Sequence, residues 1–337
     1  MNWYLQIGKN SDVVMSSKIK LIRNINGFPF KLDKNSEIQK FEDYIKENLY
    51  NIGYGLKFIK LRNLDYITKQ CIVEKNLVNP DYVFEKEDEG ALLINEDENI
   101  VIALHAEDNI ELQTFGAGLD LENILNLAVE IDEKIEKTFG YAVSKKYGYL
   151  TSSLSNLGTG LKASVLINIP AICKTGNKNS ILEVISSFGM NVRKVNKENK
   201  EDYIYEISNK QTLGLTEQEI IANVKIIIEK IAKEERMIRK YLAEKNILFE
   251  DNIYRSYGIL SNCKTITKKE TEKLLANIKM GTDLGILPEI TDSQIKQLYF
   301  YTKPAIMQKY YGREYNTMEQ DIKRAEIIKQ IMKKEIV

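Results

Sequence analysis

The 337-residue chain predicts an α+β protein in three parts: a small, mostly helical domain over 1–80, a central mixed domain over 82–245, and a helical domain over 250–337. Three observations carry that expectation. Apolar residues recur three and four apart in 36–50, 62–77, 121–139 and 216–245, the spacing of one buried helix face. Two short apolar runs, Ala91 to Asn95 and Ile100 to Leu104, flank an acidic turn as the arms of a strand hairpin do. From about residue 250 to the end the pattern is helical throughout.

Composition narrows the function classes. Apolar residues make up 43% and charged residues 28%, the balance of a folded globular chain rather than a disordered one. The net charge of zero argues against a nucleic-acid or anionic-membrane partner. No apolar run reaches the ~18 residues a spanning helix needs. The opening MNWYLQIGKN lacks the basic and apolar regions of a secretion signal, so a cytoplasmic protein is expected. Cys71, Cys173 and Cys263 are odd in number and far apart, which fits neither a disulfide framework nor a zinc site, and no metal-ligand set is assigned.

Taken in order, Met15 to Ile22 alternates as a strand with solvated lysines would. Ile38, Phe41, Tyr44, Ile45 and Leu49 mark a first helix, and Leu64, Ile67, Cys71 and Ile72 a second. His105, the only histidine, is expected at a surface or rim near a strand end. Residues 121–139 form an amphipathic helix whose stripe reads as core. The stretch from Tyr147 to Pro170 follows: a hydroxyl-rich loop, then Gly158, Thr159 and Gly160, then Lys162 and an apolar run from Val165 to Ile169. Glycines followed by a cation suit phosphate binding, and equally suit a structural turn. Ile181 to Phe188 reads as a helix, and KVNKENKED as a solvated hairpin loop. Thr216, with Glu219 three residues on, opens the long helix with a capping box.

That stretch also carries a resemblance. Thr151, Ser152, Asn156 to Leu161 and Ala163 to Val165 match the pattern TSCPTNLGTGLRASV of the ATP:guanido phosphotransferases, specifically the bacterial protein-arginine kinases. The similarity extends along nearly the whole chain: Lys18, Lys20 and Arg23 fall in a segment resembling SSRIRLARN, followed by a shared GFPF, and Lys69 lies in one resembling ERQLLVEKHLISP. NEDEN stands where the family has NEEDH, YEISNKQTLG resembles YQISNQxTLG, and QDIKRAEII resembles an RDxxRA element.

The resemblance implies a guanidino kinase fold, with a central antiparallel β-sheet flanked by helices and a helical C-terminal extension. It implies ATP with Mg2+ as the nucleotide, wherever nucleotide binding is retained. It assigns phosphate contact to Lys18, Lys20, Lys69, Lys162 and Arg193, and carboxylate chemistry to Asp97 and Glu198. Ser153 occupies the family's cysteine position, and Asp321 with Arg324 would belong to a phospho-arginine pocket. The departures concentrate at these same places. Lysines replace arginines at positions 18, 20, 69 and 162, Val101 stands where the family has Arg, and Lys194 and Lys197 replace two glycines before Glu198. Asp97 is one methylene shorter than the expected Glu, and displacements of about 1 Å cost on the order of a hundredfold in rate.

Eight of the 48 basic residues are arginine, a bias that explains surface lysines better than lysines at forked phosphate contacts. The expected function is therefore a protein-arginine-kinase-like pseudokinase, weakly active or inactive, with a regulatory binding role in protein quality control. An active kinase phosphorylating Arg side chains and a structural partner of an intact kinase are the alternatives. Family resemblance implies client proteins bearing Arg or phospho-Arg, a zinc-finger activator and a Clp-type unfoldase as partners, and leaves a homodimer and a heterodimer both open.

Overall fold

The computed structural model describes residues 2–32, 35–176, 178–195 and 203–333. Its centre is β1 (Val14–Arg23), a ten-residue strand whose Ile19 and Leu21 are fully buried on one face while Lys18 and Lys20 stand on the other. The other strands are β2 (Lys57–Lys60), β3 (Ala91–Ile94), β4 (Ile100–Leu104), β5 (Ile110–Ala117), β6 (Val143–Ser144), β7 (Gly148–Tyr149), β8 (Leu161–Asn168), β9 (Met190–Lys194) and β10 (Ile204–Asn209). Among the described residues, seven of these join β1 in one eight-stranded sheet in the order β2-β3-β4-β5-β1-β8-β10-β9, with every pairing antiparallel. β1 pairs with β5 along one edge and β8 along the other through its backbone, while its alternation sends apolar side chains to one face and lysines to the other. β6 and β7 make a separate small hairpin.

One face of the sheet is buried under α1 (Asn35–Ile52), α4 (Leu121–Phe139) and the long α7 (Glu217–Lys245). Ile38, Phe41 and Ile45, then Ile124, Ala128 and Ile131, then Ile220, Val224 and Ile228 pack there on Ile19, Leu21 and the inward residues of β3, β4, β5 and β8. α7 begins as expected, with the Thr216–Glu219 capping box formed in both directions. The opposite face carries an apolar cover over β3, β4 and β5. There α2 (Tyr66–Glu74), α3 (Pro80–Glu85) and the turn at Trp3–Leu5 lay Ile72, Tyr82, Val83 and Trp3 on Leu92, Val101 and Phe115. The half formed by β1, β8, β10 and β9 carries polar side chains on this face, and it is where the candidate site lies.

The short α5 (Pro170–Lys174) and α6 (Lys178–Ser187) lead to β9. The C-terminal part packs α8 (Ile247–Asn262), α9 (Lys268–Asp283), α10 (Asp292–Tyr301), α11 (Pro304–Tyr311) and α12 (Thr317–Met332) around a second core that includes Phe249, Ile253, Leu275, Leu298 and Ile328. It is joined to the rest through an apolar cluster of Cys71, Phe300, Ala305 and Ile306 and through polar contacts. The Ala305 and Ile306 amides donate to Glu74 Oε2 at 3.0 Å, and Tyr4 stacks on Phe300. Among the described residues no helix is long and apolar enough to cross a membrane.

Two expectations change. The boundary near residue 80 does not separate two structural units, because β1 and β2 are strands of the same sheet as β3 to β10. Local helical periodicity in 36–77 hid the fact that the strand preceding it is the sheet's fifth member. His105 is not at the surface. It is 5% exposed, follows β4 with φ of 60°, and packs edge-on against Phe41 with ring centroids 5.0 Å apart. The left-handed turn folds the imidazole back under α1, and burial pushes its pKa down to about 4.

Candidate active site

Strand register brings the sequence-predicted cations together. Lys20 of β1 lies directly opposite Lys162 of β8, and Lys18 opposite Ser164. On the other side Lys20 faces Gln113 of β5, which faces Val101 of β4, so Val101, Gln113, Lys20 and Lys162 make one row across four strands. Arg193 of β9 faces Glu206 of β10 at the far edge. Alternation puts these side chains on the open face, because the intervening residues of β1 and β8 (Ile19, Leu21, Ala163 and Val165) are needed in the core.

The cations are already engaged with carboxylates. Lys18 Nζ lies 3.2 Å from Glu206 Oε1. Arg193 donates to Glu206 Oε2 through Nε at 3.0 Å and again through Nη2. Lys20 Nζ donates to Glu111 Oε2 at 2.5 Å. Burial alone would raise the Glu206 carboxyl, yet Lys18 and Arg193 pull its pKa down to about 2. Lys162 makes no hydrogen bond or ion pair among the described residues. Burial and the neighbouring Lys20 hold its pKa below lysine's usual range, with Glu107 opposing them. It is the available positive charge of the face.

The loop before Lys162 is held by contacts that explain its glycines. Gly158 has φ of 96°, and a Cβ there would sit 2.6 Å from the Thr212 carbonyl oxygen. Gly160 has φ of 61°, and a Cβ there would meet Arg23 Nη1 at 2.7 Å. Thr159 N–H donates to Thr212 O, and Gly158 O accepts from Tyr149 N–H. These glycines admit close backbone approach within the protein itself. Arg23 is the organiser: fully buried, it donates to Asp132 through Nε and Nη2 and to the Ile22 and Thr159 carbonyls through Nη1.

Ser153 lies on the rim of the same loop, with its Oγ 2.9 Å from Ser155 Oγ. Ser152 N–H is fixed by Asp108 Oδ1 at 2.6 Å. Asp97 occupies the exposed tip of the β3–β4 turn. Beside it, Glu98 adopts φ of 55°, and both its oxygens accept from Lys75 Nζ at 2.7 Å. Lys69 stands apart from the row. It lies 4% exposed within the helical cover, with Nζ 2.5 Å from Glu87 Oε1. Glu198 falls outside the described residues. Arg324 and Asp321 are adjacent, with Nη1 2.6 Å from Oδ1. The Arg324 guanidinium is buried and also donates to the Ile266 and Thr302 carbonyls, so it ties α12 to the start of α9 and the end of α10.

Sequence reasoning missed the carboxylates. Glu206, Glu111 and Asp132 were not singled out, although Glu206 stands where the related pattern YQISNQ has a neutral Gln. That one charge change was the available signal.

Comparison with known proteins adds the lineage. Residues 37–238 match the model for the ATP:guanido phosphotransferase C-terminal catalytic domain, and residues 246–336 the model for the protein-arginine kinase McsB C-terminal domain. The chain is 38% identical to the protein-arginine kinase of Halothermothrix orenii, over 97% of this chain and 95% of that one. It is 37% identical to that of Geobacillus stearothermophilus, over 99% and 94%. Among solved structures, the duplicated taurocyamine kinase of Schistosoma mansoni shares the fold with a TM-score of 0.61 at 22% identity, over 85% of this chain and 40% of that longer one. Lombricine kinase does so with a TM-score of 0.57 at 20% identity, over 68% of each chain. Two family models that together span most of the chain, near full-length relatives and the shared antiparallel sheet lead to one conclusion: this chain belongs to the protein-arginine kinase family of the ATP:guanido phosphotransferases.

Proposed function

We propose that the open half of the sheet binds the phosphates of ATP, and that the chain transfers phosphoryl groups weakly or not at all, acting as a regulatory, nucleotide-binding member of its family. The observation that carries this is the row of Lys20 and Lys162 beside Lys18 and Arg193, which ends beyond Gln113 at Val101, fully buried among Leu77, Val78 and Tyr82. Four cations on one face fit a polyanion, and Lys162 has no competing partner among the described residues. Magnesium would arrive with the phosphates, neutralising charge on the oxygens the lysines do not reach.

Transfer to a guanidinium demands more than charge. An ammonium is a point charge, whereas a guanidinium grips two phosphate oxygens in one plane. Losing one preorganised contact to the transition state costs ~2.7–4 kcal/mol. Three lysines and a buried valine occupy positions where the resemblance sets arginines, so binding outlasts catalysis. On this reading the partners are proteins bearing Arg or phospho-Arg, and the setting is protein quality control.

Calorimetric titration of the full chain with ATP, with and without Mg2+, tests binding. Mass spectrometry for phospho-arginine on casein tests transfer. Saturable MgATP binding with no phospho-arginine above an ATP-free control is expected. ATP-dependent phospho-arginine that disappears in Glu198→Ala would establish a working kinase instead.

A further inference from the structure

We infer that Glu206 is a built-in competitor for phosphate, holding Lys18 and Arg193 in internal ion pairs that an incoming polyphosphate must break or share. The inference rests on the reading of this face as the phosphate site, and it deepens that reading by naming what sets its affinity.

Glu206 is placed for the role by the sheet. It lies opposite Arg193 on β9 and diagonally across β8 from Lys18. The residue between, Ser164, is short and faces the same way as Lys18, so nothing blocks the 3.2 Å contact between Lys18 Nζ and Glu206 Oε1. Each carboxylate oxygen is committed: Oε1 to Lys18, Oε2 to both Nε and Nη2 of Arg193. The Lys18 and Glu206 side chains are 14% and 11% exposed, so water screens their pair little, while Arg193, at 49%, approaches from the solvent side. Its depressed pKa keeps it ionised throughout the neutral range.

A phosphate that reaches Lys18 and Arg193 therefore meets two costs. It must displace charge-assisted hydrogen bonds already formed, and it must sit beside a buried negative charge. Lys20 is engaged in the same way by Glu111, but that pair lies on the β5 side, away from Arg193. Of the two carboxylates described on this face, Glu206 bridges two cations and Glu111 pairs with one, so Glu206 controls more of it. Replacing its charged oxygen with an amide keeps the shape and leaves one acceptor for Arg193, while releasing the Lys18 ammonium.

The test uses the full chain and two probes, MgATP and inorganic pyrophosphate, titrated calorimetrically into wild type, Glu206→Gln, Glu206→Asp and Lys162→Met. Releasing charge-assisted hydrogen bonds corresponds to an affinity gain of about ten- to a hundredfold for Glu206→Gln. A steeper fall of affinity with salt should accompany it, since more cations then neutralise the ligand. Glu206→Asp, whose shorter side chain cannot span both cations, should gain by a smaller factor, and it serves as the readout where Glu206→Gln fails to fold. Unchanged or weaker binding in the folded variants, together with weaker binding in Lys162→Met, overturns the competitor role and leaves the phosphate face standing. Binding indifferent to Lys162→Met, or absent from every variant and from wild type, overturns the phosphate face and the competitor with it.

Discussion

Replacing Arg23 with lysine is the most direct trial of whether an ammonium can do a guanidinium's work in this protein. Arg23 is fully buried. It donates to Asp132 Oδ2 at 3.1 and 2.8 Å, and to the Ile22 and Thr159 carbonyls at 2.9 Å each. Its guanidinium carbon also lies 3.6 Å from the centre of the Tyr149 ring. A lysine at this position keeps the charge and one bond to Asp132, but its single nitrogen cannot reach the carboxylate and both carbonyls together. The second bond to Asp132 contributes ~1.5–3 kcal/mol and each carbonyl bond ~1 kcal/mol. Because these bonds share one group they do not add, and a net loss of about 3 kcal/mol is expected for Arg23→Lys. Urea unfolding of both proteins measures it. Hydrogen exchange at Thr159 and Leu161 should rise as well, because the Thr159 carbonyl loses its anchor two residues before the first strand residue of the site. A loss of less than about 1 kcal/mol at unchanged urea dependence would refute the reasoning.

Two further predictions concern buried charge. Glu235 is fully buried; its Oε1 accepts from the Ala171 amide at 3.0 Å and Arg239 Nε at 2.7 Å, and its Oε2 from the Ile172 amide at 2.9 Å. Glu235→Gln turns one acceptor into a donor facing donors, and it should cost about 3–5 kcal/mol in urea unfolding. His105 has a folded pKa of about 4 against an ordinary 6.5, so between those values the unfolded chain takes up a proton that the folded chain refuses. Stability should therefore fall as pH drops from 6.5 towards 4, by about 3 kcal/mol in total. His105→Asn tolerates the left-handed φ and should lack this share of the loss, a difference read by unfolding both proteins across that pH range.

Much of the fold was legible because its signals are local. The capping box at Thr216 and Glu219, the 121–139 stripe and the hairpin arms on either side of Asn95 to Asn99 each announce themselves within a few residues. The site was legible only in part, because its charges meet through register. Lys18 and Glu206 are 188 residues apart in number, and only the pairing of β1 with β8 and of β8 with β10 shows that they touch. The place of β1 was missed for the same reason: a strand's position in a sheet depends on partners its own sequence does not name. Arg324 shows the converse. Its match to a family element pointed to a ligand, while its buried bonds to two backbone carbonyls give it a structural duty that no local pattern reveals.

The distribution of arginine bears on what the open face does. Only eight of 48 basic residues are arginine, and three of those, Arg23, Arg239 and Arg324, are among the largest fully buried side chains. Each spreads its planar fork over several acceptors. Arg239 reaches Glu235, Asp283 and the Asp12 carbonyl, just as Arg23 and Arg324 bridge a carboxylate and backbone oxygens. These arginines stand where the fold uses a fork, since a single ammonium there would strand buried acceptors. Lys18, Lys20 and Lys162 lie instead on the open face of the sheet. All three positions carry a positive charge without the fork. On the proposed reading such a surface attracts and holds phosphates without aligning them for transfer, and the bridging of Lys18 and Arg193 by Glu206 is what would set how strongly it does so.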